Sequence, residues 1–133
     1  QDWIHVVEGQ SAAALTASDC TLIASGTATL EAALARCPMV IAYKMPLLSW
    51  WLTQRKRLQP WVGLPNILAE RFVVPELLQD DVTPDRLAAE AMRWLTDSQA
   101  HEAACTAFRA LHETLKMDTA KVASHAIQKV LAS

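Results

Sequence analysis

Cysteine is scarce in this chain of 133 residues, and its placement excludes a disulfide framework. Cys20, Cys37 and Cys105 are odd in number, widely spaced, and form no CxxC pair. Small disulfide-stabilised domains carry denser, even-numbered sets. The three thiols therefore predict a protein of a reducing, cytosolic compartment.

Long apolar runs and a strong net charge are also missing. No run approaches the ~20 residues that a helix needs to span a bilayer, and we expect no signal peptide. The net charge of −2 argues against nucleic-acid binding, because such a chain would neutralise few phosphates. With 52% hydrophobic and 20% charged residues, the chain can still bury an ordered core.

Two kinds of catalytic site lack their sequence patterns. His101, Cys105 and His112 share a predicted helix, but about 16 Å of helix rise separates the two histidines. His101 and Cys105 alone are too few ligands for a structural metal ion. No GxSxG context supports a nucleophilic serine. We therefore predict no metal, no cofactor and no hydrolase.

The first third of the sequence alternates apolar strands with short helices. We predict strands at residues 3–7, 20–24 and 39–43, with helices at 11–17 and 28–35. Strands separated by helices are typical of βαβ units with a parallel sheet. Because the chain enters a strand pattern at once, we expect it to be a fragment of a longer protein.

The remaining sequence is richer in helix. We predict a helix at 46–58, a loop or short strand at 61–66, and a short helix at 76–79. From Thr83, an N-cap followed by proline, the apolar periodicity predicts consecutive helices to the end of the chain.

The candidate phosphate-binding loop directly follows the second predicted strand and leads into the helix predicted at residues 28–35. Gly26 permits close approach of a ligand to the backbone, and Ser25, Thr27 and Thr29 add hydroxyl groups. The N-terminus of the following helix favours an anion. Glu31 lies one turn further, where its carboxylate is in reach of a sugar diol. The alternative is a capped helix with a solvated first-turn acid.

Five motifs, taken in order, resemble the C-terminal half of the lipid-A-disaccharide synthase family. The motifs are Ala24-Ser25-Gly26-Thr27-Ala28-Thr29-Leu30-Glu31, Cys37-Pro38-Met39-Val40, Tyr43-Lys44-Met45, Leu64-Pro65-Asn66-Ile67-Leu68-Ala69 and Pro75-Glu76-Leu77-Leu78-Gln79. The first is shared by many UDP-sugar transferases of the GT-B fold. The combination of the first motif with the fourth and fifth motifs is shared by far fewer proteins.

The resemblance implies a glycosyltransferase acting at the cytoplasmic side of a Gram-negative inner membrane. Such an enzyme transfers diacylglucosamine from UDP to diacylglucosamine 1-phosphate, with inversion, and forms the lipid A disaccharide. Ser25, Gly26 and Thr27 would bind the diphosphate, and Glu31 the ribose; the loop sequence adds Thr29 to these substrate-binding candidates. Asn66 and Gln79 would lie near the donor sugar. The resemblance assigns no catalytic residue to this segment.

The implied fold is a Rossmann-like parallel sheet with flanking helices and a helical C-terminus, an incomplete C-terminal half of a GT-B enzyme. Residues 1–82 would form the UDP-sugar-binding α/β core, and residues 83–133 helices that are exchanged in a homodimer. The absent N-terminal half would supply the general base and most acceptor contacts, so we expect the fragment alone to be inactive.

A tryptophan-rich segment with a basic end suggests contact with lipid. Trp50 and Trp51 precede Arg55, Lys56 and Arg57, a combination that suits the surface of an anionic membrane. The alternatives are a helix packed on the sheet with a solvated basic end, or contact of the three cations with the diphosphate. Two other functions stay open for the whole chain: a non-catalytic module that binds a membrane or a partner, and a UDP-sugar transferase with a different acceptor.

Overall fold

The computed structural model describes residues 3–56 and 59–131. Within them, three parallel strands form one sheet in the order β1 (Thr21–Ala24), β2 (Met39–Tyr43) and β3 (Glu76–Leu78). In the sheet register, β1 pairs from Thr21 opposite Met39, and β3 pairs from Glu76 opposite Ile41. The predicted α/β class with a parallel sheet is confirmed.

Helices connect the strands and continue after the sheet. They are α1 (Ser11–Ala17), α2 (Ala28–Leu34), α3 (Leu47–Lys56), α4 (Leu64–Ala69), α5 (Pro84–Thr96), α6 (Ser98–Leu115) and α7 (Thr119–Leu131). The predictions for α1, α2, α3 and the C-terminal helices are confirmed. Position 58, the predicted end of α3, lies outside the described residues.

Helices cover the central strand β2 on both faces. Met39, Val40 and Ile41 are each 0% exposed, although successive side chains of a strand point to opposite faces. Both α2 and α5 contact β2, and the indole N–H of Trp94 donates to the Met39 carbonyl at 3.1 Å. Phe108 of α6 belongs to the same buried cluster. This core packs against β2 and so holds the three strands, with their carboxyl ends, in a fixed arrangement.

Local capping explains where the long helices begin. The Thr83 hydroxyl accepts a hydrogen bond from the Arg86 amide at 3.3 Å, and Pro84 occupies the first helical position of α5. The carboxylate of Asp97 accepts from the Ala100 amide at 2.9 Å and begins α6. Side-chain acceptors of this kind satisfy amides that have no partner within the helix.

The predicted strand at residues 3–7 is wrong. This run has no regular secondary structure, and Trp3 and Val6 are 74% and 90% exposed. An apolar run becomes a strand only where a neighbouring strand pairs with it, and the run is not part of the described sheet. Strand β1 is therefore an edge strand, with alternately half-buried and exposed residues.

The loop predicted at residues 61–66 is confirmed for residues 61–63 and wrong for 64–66, and the short helix predicted at residues 76–79 is wrong. Helix α4 begins at Leu64 because the Gly63 carbonyl accepts from the amides of Asn66 and Ile67. Residues 76–78 form β3 because they pair with β2, and a single 3-10 turn (Gln79–Asp81) follows. Both segments are too short for hydrophobic periodicity to separate helix from strand.

Candidate nucleotide-binding edge of the sheet

The carboxyl ends of the three strands bring distant parts of the sequence to one edge of the sheet. β1 ends before Ser25, β2 ends before Lys44, and β3 ends before Gln79. Because the strands are parallel and adjacent, these residues lie along the same edge. In open α/β sheets this edge is where ligands bind.

The loop after β1 is exposed at its tip and held at its base. Gly26 has a φ of 148°, a conformation that L-residues with a side chain rarely adopt. The Ser25 hydroxyl donates to the Val62 carbonyl at 3.3 Å, and the Thr29 hydroxyl donates to the Gly26 carbonyl at 2.7 Å. Thr29 is 0% exposed, so its hydroxyl supports the loop from below.

Thr27 presents its side chain to solvent instead of capping α2. It is the residue before the helix, yet its hydroxyl makes no capping hydrogen bond. The amides of Thr29, Leu30 and Glu31 already donate to the carbonyls of Gly26 and Thr27. The donors that remain for a ligand are the Thr27 hydroxyl and the loop amides. Glu31 is exposed in the first turn of α2, one turn beyond Thr27.

Asn66 is 0% exposed and uses its whole side-chain amide within the chain. Its Nδ2 donates to the Val74 carbonyl and to Glu76 Oε1, both at 2.9 Å. Its Oδ1 accepts from the amides of Val73 and Val74 at 2.7 and 3.0 Å. Two donors and two acceptor positions are thereby filled, which is the capacity of the group. Asn66 thus fixes α4 against the segment that enters β3.

Gln79 closes the carboxyl end of β3 against that of β2. Its Oε1 accepts from the Met45 amide at 2.7 Å, and its Nε2 donates to the Met45 carbonyl at 2.9 Å. The residue is 7% exposed and has a φ of 53°. Of the seven residues predicted to bind substrate, Ser25, Gly26, Thr27 and Glu31 form the accessible group. Thr29, Asn66 and Gln79 are buried beneath or beside it.

Helix α3 leaves the same edge directly after Lys44, Met45 and Pro46. Trp50 is half-buried, Trp51 is 52% exposed, and the guanidinium of Arg55 lies 3.8 Å from the centre of the Trp51 ring. Lys56 ends the helix, and Arg57 lies outside the described residues. An aromatic ring beneath a cation at the surface is the arrangement that cation–π attraction favours.

Two residues of this region were not assigned a role from the sequence. Lys44 is exposed at the end of β2, and Glu76 accepts three hydrogen-bond donors at the start of β3. Their only signal was their position within the resembling motifs Tyr43-Lys44-Met45 and Pro75-Glu76-Leu77-Leu78-Gln79. The role of Glu76 was missed because we predicted a short helix at residues 76–79.

A second concave surface lies between residues 71–73 and helices α5 and α6. It is lined by Arg71, Phe72, Val73, Arg93 and the alanine-rich face of α6. None of the residues predicted to bind the nucleotide or the membrane lines this surface. Its charged side chains are the guanidinium groups of Arg71 and Arg93.

The three cysteines are free thiols. Burial, with smaller contributions from the neighbouring thiols and Asp19, raises the pKa of Cys37 to about 11, so it is protonated at neutral pH. Burial also raises the pKa of Cys20 and of Cys105.

Among the described residues, no three His, Cys, Asp or Glu side chains are grouped to hold a metal ion. Within the same residues, no helix combines the length and apolar character needed to cross a bilayer.

Comparison with known proteins gives one family. The family model described as lipid-A-disaccharide synthetase matches residues 2–130. The chain is 55% identical over 135 residues to the lipid-A-disaccharide synthase of Albidiferax ferrireducens, covering 98% of the chain and 35% of that protein. For the synthase of Verminephrobacter eiseniae the identity is 53%, covering 97% of the chain and 34% of that protein. The chain spans about a third of the length of these curated relatives. This chain belongs to the lipid-A-disaccharide synthase family.

Proposed function

We propose that this chain is the UDP-binding part of a glycosyltransferase that makes the lipid A disaccharide. The donor would be UDP-diacylglucosamine and the acceptor diacylglucosamine 1-phosphate. The observation that carries the proposal is the exposed Ser25–Thr27 loop at the carboxyl edge of the sheet, in a chain of this family. Parallel sheets bind nucleotides at this edge.

The loop would act on the leaving group of the reaction. An acceptor hydroxyl oxygen attacks the anomeric carbon, the bond from that carbon to the diphosphate breaks, and the electron pair leaves with UDP. Loop amides and the Thr27 hydroxyl would donate hydrogen bonds to the phosphate oxygens on which negative charge increases. Lys44, exposed at the neighbouring strand end, would add a positive charge. Donors held in place before the reaction stabilise such charge without reorganisation.

Glu31 would bind the ribose of UDP, and the buried side chains would shape the site. The Glu31 carboxylate is exposed one turn into α2 and would accept hydrogen bonds from a sugar diol. Asn66 and Gln79 would border the donor sugar through the backbone that they hold, because their amide groups are already hydrogen-bonded. The general base and the acceptor contacts would come from other parts of a full-length synthase.

A titration of this chain with UDP, followed by amide chemical shifts, tests the proposal. We expect saturable shifts centred on residues 25–31. Thr27→Val and Glu31→Ala should each weaken binding about tenfold, equivalent to ~1.4 kcal/mol, with little change in the melting temperature because both side chains are exposed.

Matched controls are Thr16→Val on α1 and Glu113→Ala on α6, which make the same chemical changes at exposed positions of other helices. A folded chain that gives no shifts with UDP, or loop variants that bind as tightly as the controls, would refute the nucleotide site.

Peripheral contact with the inner membrane is a second part of the proposal. Helix α3 exposes Trp51 and Leu52 beside Arg55, and it begins at the edge where a lipid-linked donor would bind. The same observation favours the alternative function, a non-catalytic membrane-binding module. Vesicle binding without any affinity for UDP would select that alternative, whereas UDP binding with a different acceptor would leave the transferase class intact.

We also propose that the protein acts as a homodimer in which C-terminal helices are exchanged. Helix α7 has no buried residue, and its apolar side chains Val122, Ile127 and Val130 are 55%, 59% and 73% exposed. Apolar helix faces of this kind are normally covered by a partner or by another part of the protein.

A further inference from the structure

Glu76 connects the start of β3 to the segment Trp61–Gly63. Its Oε1 accepts from the Gly63 amide at 2.8 Å and from the Val62 amide at 3.1 Å, and its Oε2 accepts from the Val62 amide at 2.9 Å. Hydrogen bonds to an ionised carboxylate are about twice as strong as those between neutral groups. The carboxylate therefore holds two consecutive backbone amides of a segment that has no regular secondary structure.

The rest of the surroundings leaves this carboxylate little freedom. Asn66 Nδ2 donates to Glu76 Oε1 at 2.9 Å, and the remaining hydrogen bonds of Asn66 fix it to Val73 and Val74. Gly63 lies so close that a Cβ atom built on it would be 3.2 Å from Glu76 Oε1. These contacts fix the position of the carboxylate relative to the segment that it holds.

The same segment contacts the proposed phosphate loop. The Val62 carbonyl accepts from the Ser25 hydroxyl at 3.3 Å, while the Val62 amide on the other side is held by Glu76. Ser25 is the first residue of the loop, and Gly26 follows it with its φ of 148°. A displacement of Val62 would therefore be transmitted to the base of the loop.

We infer that Glu76 is a positioning residue for the nucleotide site: it fixes Val62, and through the Ser25–Val62 hydrogen bond it sets the conformation of the Ser25–Thr27 loop. This inference rests on the proposed function only for the identity of the ligand. The coupling between Glu76 and the loop is a property of the chain without ligand. Glu76 contacts neither the exposed hydroxyl of Thr27 nor the carboxylate of Glu31, so it acts through the backbone.

Glu76→Gln is the test substitution because it keeps the shape of the side chain. If the amide oxygen takes the place of Oε1, the NH₂ group replaces Oε2 and faces the Val62 amide, so that two donors oppose each other. The bonds from Gly63 and Asn66 to that oxygen are kept, and the Val62 amide keeps only its longer contact with it, which is 3.1 Å in the native chain. The change is thus localised at Val62, the residue that contacts Ser25.

The first measurement is made without ligand. Glu76→Gln should shift the amide signals of Val62 and Gly63 and also those of Ser25, Gly26 and Thr27, and it should accelerate hydrogen exchange at Val62. Glu113→Gln on α6 is the matched control and should leave the loop signals in place. If Glu76→Gln shifts only the amide signals of Val62 and Gly63, and those of Ser25 to Thr27 stay unchanged, the inference is overturned whatever the chain binds.

The second measurement is a double-mutant cycle with UDP. Ser25→Ala and Glu76→Gln should each raise the dissociation constant about tenfold, and the double variant should bind about as weakly as either single variant. A purely structural role would lower the melting temperature and leave the affinity of the folded chain unchanged. Additive effects, about a hundredfold in the double variant, would show that Glu76 does not act through Ser25.

The two measurements separate this inference from the proposed function. If the wild-type chain does not bind UDP, the proposed function fails, and the ligand-free shifts still decide whether Glu76 controls the loop. If Glu76→Gln does not fold, Ser25→Ala tests the Ser25–Val62 contact through which Glu76 is inferred to act. It should then shift the amides of Val62 and Gly63, and unchanged signals there would refute the coupling.

Discussion

Asn66 and Gln79 are buried amides whose hydrogen-bonding groups are used within the chain. Each joins the carboxyl-edge region to another segment, Asn66 to the entry of β3 and Gln79 to the end of β2. Removing one partner of a buried hydrogen bond costs about 1–3 kcal/mol for each group left unsatisfied. If replacement of either residue reduces activity, we therefore expect the cause to be a disturbed carboxyl edge of the sheet and not a lost contact with substrate.

Gly63 provides a prediction at the scale of one methyl group. A Cβ atom on Gly63 would collide with Cδ1 of Ile41, which is 0% exposed in the core. The φ of Gly63 is −80°, so the backbone itself would tolerate alanine. Gly63→Ala should lower the free energy of unfolding by ~1–3 kcal/mol, the usual cost of overpacking, measured by urea denaturation.

Ile41→Val serves as the compensating variant because it deletes the colliding Cδ1 atom. Alone it should cost ~0.5–1.5 kcal/mol. The double variant Ile41→Val/Gly63→Ala should lose less stability than the sum of the two single losses. Strict additivity would mean that the collision with Ile41 is not the reason for glycine at this position.

Among the elements, α3 exposes large apolar side chains right beside the carboxyl edge of the sheet. It runs from Leu47 to Lys56, and Leu47, Trp51 and Leu52 are 74%, 52% and 48% exposed. Helices that pack on a sheet bury their large apolar residues, as α5 buries Trp94. Large exposed apolar side chains next to a cation suit the interface of an anionic membrane.

We expect the chain to bind vesicles that contain anionic phospholipid more tightly than neutral vesicles. Trp51→Ala should weaken this binding several-fold because the indole is lost from the interface, and Arg55→Gln should mainly reduce the preference for anionic lipid. Sedimentation with vesicles provides the measurement.

Trp3→Ala is the matched control, since Trp3 is 74% exposed but lies outside α3. Equal binding to neutral and anionic vesicles, or equal losses for Trp51→Ala and Trp3→Ala, would exclude α3 as the lipid-contacting surface.

At the scale of the whole molecule, α7 stands apart from the core that the other long helices share. Trp94 of α5 and Phe108 of α6 are buried with β2, whereas every described residue from Glu113 to Leu131 is exposed. The division into a core of residues 1–82 and a helical part from residue 83 stays a prediction.

If α7 mediates the proposed homodimer, placing a charge on its apolar face should dissociate the protein. Ile127→Lys should convert a dimer into a monomer at micromolar concentration, because burial of the ammonium group would be unfavourable. Gln128→Lys makes the same charge change on the polar face of α7 and should leave the dimer intact. Analytical ultracentrifugation distinguishes the outcomes, and a monomeric wild-type chain would contradict the proposal.

Sequence patterns were sufficient wherever a segment carried its own local signal. The apolar run of β2, the Thr83-Pro84 start of α5 and the exposed loop at Gly26 each depend on residues next to one another. The motifs from Ala24 to Gln79 were enough to predict the family. Far fewer families share these motifs in this order than share any one of them.

Tertiary contacts decided what the sequence alone left open. The run at residues 3–7 has the composition of a strand but no partner in the described sheet, and the three residues of β3 are a strand because β2 pairs with them. The buried position of Asn66 and the half-buried position of Glu76 depend on hydrogen bonds between residues 7 to 14 apart, and the Ser25–Val62 bond spans 37 residues. Contacts at such separations leave no periodic trace in a sequence, so only the folded chain shows which side chains face a ligand and which hold the site together.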